Sequence, residues 1–255
     1  GHSLNGHSLN GVTLNGVSPS GHSLNGAVIG IAATGAPLAG TGVVGSTWTG
    51  HLSDGTTLPL RVDQVMQGTG ANTDVWSYVV SASTDGTWWP LCVDYNGAPI
   101  FADTMRGTWN AGEGVPGGGS YTAGATDFTI ACRGSSVAKC VELGYKPWAG
   151  HTSELASCVR ALRADYCGDG GSYTVDGTIV NIYDVGGIQP DDSAWDAEAE
   201  WTADGARCVA SKTKTRFYQD AHVTPWCFPC PLSPQNSCGT GFTTGAVIIT
   251  ELLPL

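Results

Sequence analysis

Residues 131–170 read ACRGSSVAKC VELGYKPWAG HTSELASCVR ALRADYCGDG, and this stretch decides the fold class. Val137, Cys140 and Val141 share one face of a short helical run over 135–143, which Gly144 stops. Leu155, Cys158, Val159, Leu162 and Tyr166 recur at helical spacing in a second run that Thr152 or Ser153 can cap. Each run carries a cysteine on its inner face, which suits a bridge if the two pack together. Outward in both directions the pattern changes to β-branched and aromatic runs. These are 48–52 and 58–62 about the turn Ser53-Asp54-Gly55, then 75–80, 88–92 and 128–132, and beyond the helices 178–183 and 201–209 about Asp204-Gly205. The fold class expected is mainly β with a small α part (α+β).

The composition narrows the function classes. Of 255 residues, 41% are hydrophobic, enough for a sizeable core, and 37 are glycine, about twice the usual ~7% share. The net charge is −11, with 11 basic against 22 acidic residues and no Lys/Arg cluster. A nucleic-acid backbone or an anionic membrane surface is thus not an expected partner. The longest aliphatic run is Ala246–Ile249, far short of the ~20 residues of a spanning helix. Nine cysteines stand at Cys92, Cys132, Cys140, Cys158, Cys167, Cys208, Cys227, Cys230 and Cys238. So many cysteines point to an oxidising, extracytoplasmic setting and to a disulfide-stabilised body. Their pairing is not readable from spacing, and the odd one is free or bonds another chain. The chain opens inside a repeat with no leader visible, as in a mature or trimmed form.

That repeat reads GHSLN, GHSLN, GVTLN, GVSPS, GHSLN over residues 1–25. Leu4, Leu9, Leu14 and Leu24 recur at five-residue spacing, and after a one-residue slip Gly30, Gly35, Gly40, Gly45 and Gly50 resume it. Five matches neither the helical period nor the strand period. A fixed short period is the mark of a solenoid, here a square coil with the leucines inside and Gly or Asn at the corners. The repeat resembles the pentapeptide-repeat β-solenoid, in which four such units make one turn. The expected organisation is a β-solenoid-like segment over 1–50, then a disulfide-rich globular domain over 51–255 with two short helices and an apolar C-terminal strand at 246–255. GHSL also suggests the G-x-S-x-G elbow of lipases, but its fifth residue is Asn and it occurs three times at repeat spacing, so Ser3, Ser8 and Ser23 are not read as nucleophiles.

A second resemblance is more specific. Ala131-Cys132-Arg-Gly, Ala138-Lys-Cys140, Gly144-Tyr-Lys-Pro-Trp148 and Arg163-Ala-Asp-Tyr-Cys-Gly-Asp-Gly170 follow one another in order, flanked by Trp89-Pro-Leu-Cys92 and Gly205-Ala-Arg-Cys208. Over roughly residues 45–240 the chain resembles the ADYC domain family, named for the four residues at 164–167. The resemblance implies an exported protein of myxobacterial type, often preceded by LNG repeats. It implies no activity and supplies no functional residues.

Several clusters of residues match known chemistry by type. Trp226-Cys-Phe-Pro-Cys230 resembles a thioredoxin redox motif, yet Pro231 and Pro234 oppose the helix that would activate the thiolate. His222, Cys227, Cys230 and Cys238 match zinc ligands by type, but cross-links are the expected use. Asp165, Asp169, Gly170 and Asp176 fall at positions 1, 5, 6 and 12 of an EF-hand-like calcium loop, with Cys167 at a position that needs oxygen. Asp191, Asp192, Asp196, Glu198 and Glu200 offer paired carboxylates, though such crowding reads more simply as a solvated face. No catalytic residue, cofactor or resident metal is therefore assigned. The expected role is an exported structural or interaction protein, surface-attached or self-assembling, with filaments as one form. Its contacts would run through Leu4, Leu9, Leu14 and Leu24 and through Val247, Ile248 and Ile249, with another surface protein as the other partner. The alternative is an exported hydrolase using Asp165, Asp169 or His151.

Overall fold

The computed structural model describes residues 2–3, 30–31, 37–38, 40–51, 57–83, 85–110, 112–114, 117–123, 128–174, 177–210, 215–216, 237–242 and 245–254. In chain order the strands are β1 (His2–Ser3), β2 (Gly30–Ile31), β3 (Pro37–Leu38), β4 (Thr47–His51), β5 (Thr57–Gln67), β6 (Trp76–Ser83), β7 (Trp88–Pro90) and β8 (Ala102–Arg106). They continue as β9 (Thr108–Trp109), β10 (Tyr121–Thr122), β11 (Phe128–Cys132), β12 (Ile179–Asp184), β13 (Asp196–Thr202), β14 (Gly205–Val209) and β15 (Ile248–Leu252). Two α-helices, α1 (Ser136–Glu142) and α2 (Thr152–Arg163), stand between β11 and β12. The α+β class and the two helices are as the sequence indicates.

The chain forms two compact units. One spans Leu9–Asn110 and Tyr121–Glu142. Its main sheet has the order β11-β8-β6-β5-β4, with β7 also paired to β6. Alternation along β5 turns Leu58, Leu60 and Val62 to one face, where they pack with Val43, Trp48, Tyr78, Val80 and Ala82. The Cys92–Cys132 disulfide ties the chain after β7 to the end of β11. On α1, Val137, Cys140 and Val141 are buried, as their spacing requires.

The other unit spans Gly1–Ser8, Ala111–Ser120 and Leu143–Leu255. Its sheet has the order β1-β12-β15-β13-β14, and α2 packs on β13, β14 and β15. Leu155, Cys158, Val159 and Leu162 of α2 are buried. His151 holds the N-cap position, so Thr152 and Ser153 lie inside the first turn instead of capping it.

The expected solenoid is corrected. A square coil stacks each side in parallel on the side one turn later and closes around its leucines. Every strand pair among the described residues is antiparallel, and both large sheets are open, running from edge to edge. The resumed glycine period gives other structures. Gly30–Ile31 pairs back on Pro37–Leu38, Gly40–Val43 is a 3-10 turn, and Thr47–His51 is an edge strand. Gly30 and Gly50 stand in strands, Gly40 opens the 3-10 turn and Gly45 (φ 84°) sits in a turn, and Val43 and Trp48 enter the sheet core instead of a coil interior. Without a solenoid, the structural-protein and filament roles built on its stacking lose their basis. Leu4, Leu9, Leu14 and Leu24 lie outside the described residues, as does the Ser53-Asp54-Gly55 turn.

The C-terminal run is also placed differently. Strand β15 is the centre of its sheet, paired with β12 on one side and β13 on the other. Ile248 and Ile249 are fully buried, and the Val247 backbone bonds Trp201 and Val185. Both edges of this strand are filled from within the chain, leaving no backbone for a neighbour's strand to join.

Candidate functional site

The ADYC residues lie where α2 ends. Ala164 takes the left-handed conformation (φ 53°), and its N–H donates to the Arg160 and Ala161 carbonyls, which closes the helix. It is the one positive-φ residue other than glycine among the described residues. Asp165 is 1% exposed and accepts from the Arg160 guanidinium and from the N–H groups of Asp169 (3.1 Å) and Gly170 (2.9 Å). Burial pushes its carboxyl above the ordinary range, and Arg160 and the Gly170 N–H pull the other way. The Tyr166 hydroxyl donates to Glu198, and Cys167 is disulfide-bonded. Gly168 (φ 71°) lets this turn lie against the β13–β14 hairpin, since a Cβ there would come within 1.9 Å of the Asp204 carbonyl oxygen.

Glu198 is the centre of a second, fully buried network. Strict alternation along β13 would put Asp196, Glu198 and Glu200 on one face. A β-bulge between Ala197 and Ala199 breaks the alternation and turns Glu198 toward the side of Trp201 and Thr250. There Glu198 accepts from Arg216 Nε and Arg216 Nη2, both at 3.0 Å, from the Arg216 N–H at 3.1 Å, from Tyr166, and from Thr250 Oγ1 at 2.8 Å. Trp201 Nε1 donates to Thr250 Oγ1 at 2.8 Å. Burial raises the Glu198 carboxyl, but the Arg216 charge and these donors outweigh it and hold it below the usual carboxylate value. Arg216 also donates to the Leu162 carbonyl (3.2 Å) and to that of Ala161, so a cation sits on the last turn of α2. Sequence reasoning did not single out Arg216. Nothing in its neighbourhood marks it, since its partners lie 18 and more residues away.

The other sequence candidates are not brought together as ligands. Asp165 and Asp169 share one turn, but backbone N–H groups and an arginine point at Asp165 where a calcium site needs free oxygens, and Asp176 lies outside the described residues. His151 is half-exposed with Nδ1 3.9 Å from Glu154. Cys238 is bonded to Cys208, so it offers no thiolate to a zinc site with His222, Cys227 and Cys230, which lie outside the described residues. Glu200, Cys208 and Cys238 bring three potential ligand atoms within 4.8 Å, but two of these are the bonded sulfurs and Glu200 accepts the Gly239 N–H at 2.9 Å. All seven described cysteines are disulfide-bonded. The expected solvated acidic face holds only in part: Asp192 is exposed, whereas Glu198 and Glu200 are fully buried.

One loop faces outward. Between Cys92 and Ile100 the chain doubles back through a Val93–Pro99 bridge, and the Ile100 N–H donates to the Cys92 carbonyl at 3.0 Å. Asp94 Oδ1 accepts from the N–H groups of Asn96 (2.9 Å) and Ala98 (2.8 Å), an Asx arrangement that fixes the tip. The Cys92–Cys132 disulfide anchors the base. Tyr95 stands on this loop 86% exposed, beside the exposed Val93.

No curated protein and no solved structure matches the chain. The sequence model of the ADYC domain matches residues 40–215, beginning slightly before and ending short of the 45–240 expected from the motifs alone. Those residues hold the closing turn of α2, Glu198 and its bulge, and Arg216 stands just past their end. With more than half of its length matched, the chain belongs to the ADYC domain family.

Proposed function

We propose that this protein works outside the cytoplasm as an interaction protein with no reaction of its own, binding another surface protein or a second copy of itself. The observation that carries this reading is the contrast between its motif and its loop. The ADYC residues face inward and bond to the chain itself, whereas Tyr95 is held out on a tip that its own backbone and a disulfide immobilise. A rigid, exposed aromatic loses little conformational freedom on contact, which is why such residues serve as anchors in interfaces. The bonded cysteines support the extracytoplasmic setting. No helix among the described residues is long and apolar enough to cross a membrane. The hydrolase alternative needs a carboxyl that faces substrate, and Asp165 is instead tied to Arg160 and two backbone donors.

The test is a photo-cross-linking side chain in place of Tyr95, in protein exported by its own host. An adduct with one protein is expected at position 95. Val185, exposed in the other unit, is the control position. Equal labelling at both positions, or none at 95, removes the reading.

A further inference from the structure

In the unit built on the six-stranded sheet, two carboxyls meet on one arginine. Arg133 Nε lies 3.2 Å from Asp103 Oδ1 and 3.0 Å from Glu142 Oε1. Asp103, on β8, is 1% exposed, and its Oδ1 also accepts from Ser77 Oγ at 2.6 Å across the β6–β8 pairing. Its Oδ2 is buried without a protein donor. An orphaned carboxylate oxygen in that position is destabilising unless a proton or a donor reaches it. The Asp103 and Glu142 side chains are within hydrogen-bonding reach of each other. Two carboxylates have no hydrogen to share, so that bond exists only when one of them is protonated. Glu142 also ends α1, where a negative charge is opposed by the last-turn carbonyls.

We infer that Asp103 and Glu142 hold a single proton between them, and that this proton latches the C-terminal end of α1 to the sheet. When it leaves, through the Glu142 side (31% exposed) to water, two negative charges face one Arg133 and the latch loosens. The charged groups facing the pair are Arg133 and, for Glu142, Lys139; Ser77 is the neutral donor on Asp103. Asn72 Nδ2 holds the Glu142 carbonyl at 2.9 Å and does not titrate, so it keeps the helix end near the sheet in both states.

Burial raises Asp103 above its ordinary value of 3.8, against Ser77 and Arg133; burial and then the Asp103 charge raise Glu142 above 4.5. An acid raised in the folded state binds more protons folded than unfolded. Its contribution is therefore complete below the ordinary carboxylate range and is lost as pH rises through the raised values.

The test is amide hydrogen exchange of residues 136–142 in the full-length protein from pH 4 to 8, corrected for the intrinsic rate. The opening equilibrium of α1 is expected to rise by about tenfold or more across this range, the scale of losing one buried charge-assisted hydrogen bond. Glu142→Gln, whose amide donates without titrating, is expected to flatten the profile at the closed, low-pH level. A wild-type profile already flat, or a Glu142→Gln profile as steep as wild type, overturns the inference. Carbon-13 titration of the two carboxyls provides a measurement independent of stability: Glu142 titrating at its ordinary value also overturns it.

Discussion

The two units solve the same problem of burial with different materials. Around β5 the interior is an apolar cluster of Leu58, Leu60, Val62, Val80 and Ala82 with Trp48 and Tyr78 edge to face, their centroids 5.9 Å apart. Under α2 the interior contains full charges: Arg216 with Glu198, and Arg160 with Asp165, all nearly or wholly shielded from water. An apolar cluster stabilises by area and tolerates changes that conserve volume. A buried ion pair contributes little net stability relative to an apolar filling, but it punishes the loss of either partner. The lesson is that the ADYC region specifies geometry more than it adds stability. Its charges fix where α2 stops and how β13 bulges.

Substitutions that keep shape test this contrast most sharply. Glu198→Gln keeps the volume but leaves the Arg216 charge buried without its counter-charge, and is expected to cost about 3–5 kcal/mol in chemical denaturation, with exchange protection lost first in α2 and β13. Leu60→Met, equally conservative at the heart of the apolar cluster, is expected to cost under about 1.5 kcal/mol by the same measurement. Similar losses for the two would erase the distinction between the units. The smallest effect is reserved for Arg61→Ala. Arg61 is partly exposed, paired to Asp63 at 2.5 Å and stacked 4.5 Å above Trp88, and its removal is expected to cost less than about 1 kcal/mol, falling further at high salt. A larger loss would show charge to be structural in the apolar unit too.

The parts legible in the sequence were those set by local periodicity. Helical spacing located Val137, Cys140 and Val141, and Leu155, Cys158, Val159 and Leu162, on buried faces, and β-branched runs located the strands on either side. The parts that were not legible depend on residues distant in the chain. The bulge at Glu198 reverses the face that alternation assigns, and no local signal precedes it. Arg216 is defined by the carbonyls and carboxylate it meets, at separations of 18 to 55 residues. The run at 246–252 looks like a free apolar strand, although its apolar residues on both faces are what a central strand needs. The five-residue period is real in the sequence, but its glycines fall in strands and turns alike, and Gly30 pairs antiparallel with Leu38 instead of stacking in parallel.

The position of β15 has a consequence for the order of events as the chain emerges. Strands β12, β13 and β14 all precede it, yet β12 and β13 reach one another only through it. Until residues 248–252 are released from whatever is feeding the chain out, those two strands keep bare hydrogen-bonding edges and the sheet cannot close its ladder. The ladder of this sheet therefore becomes continuous only once β15 has slotted between them, whatever pairing the earlier strands have already made.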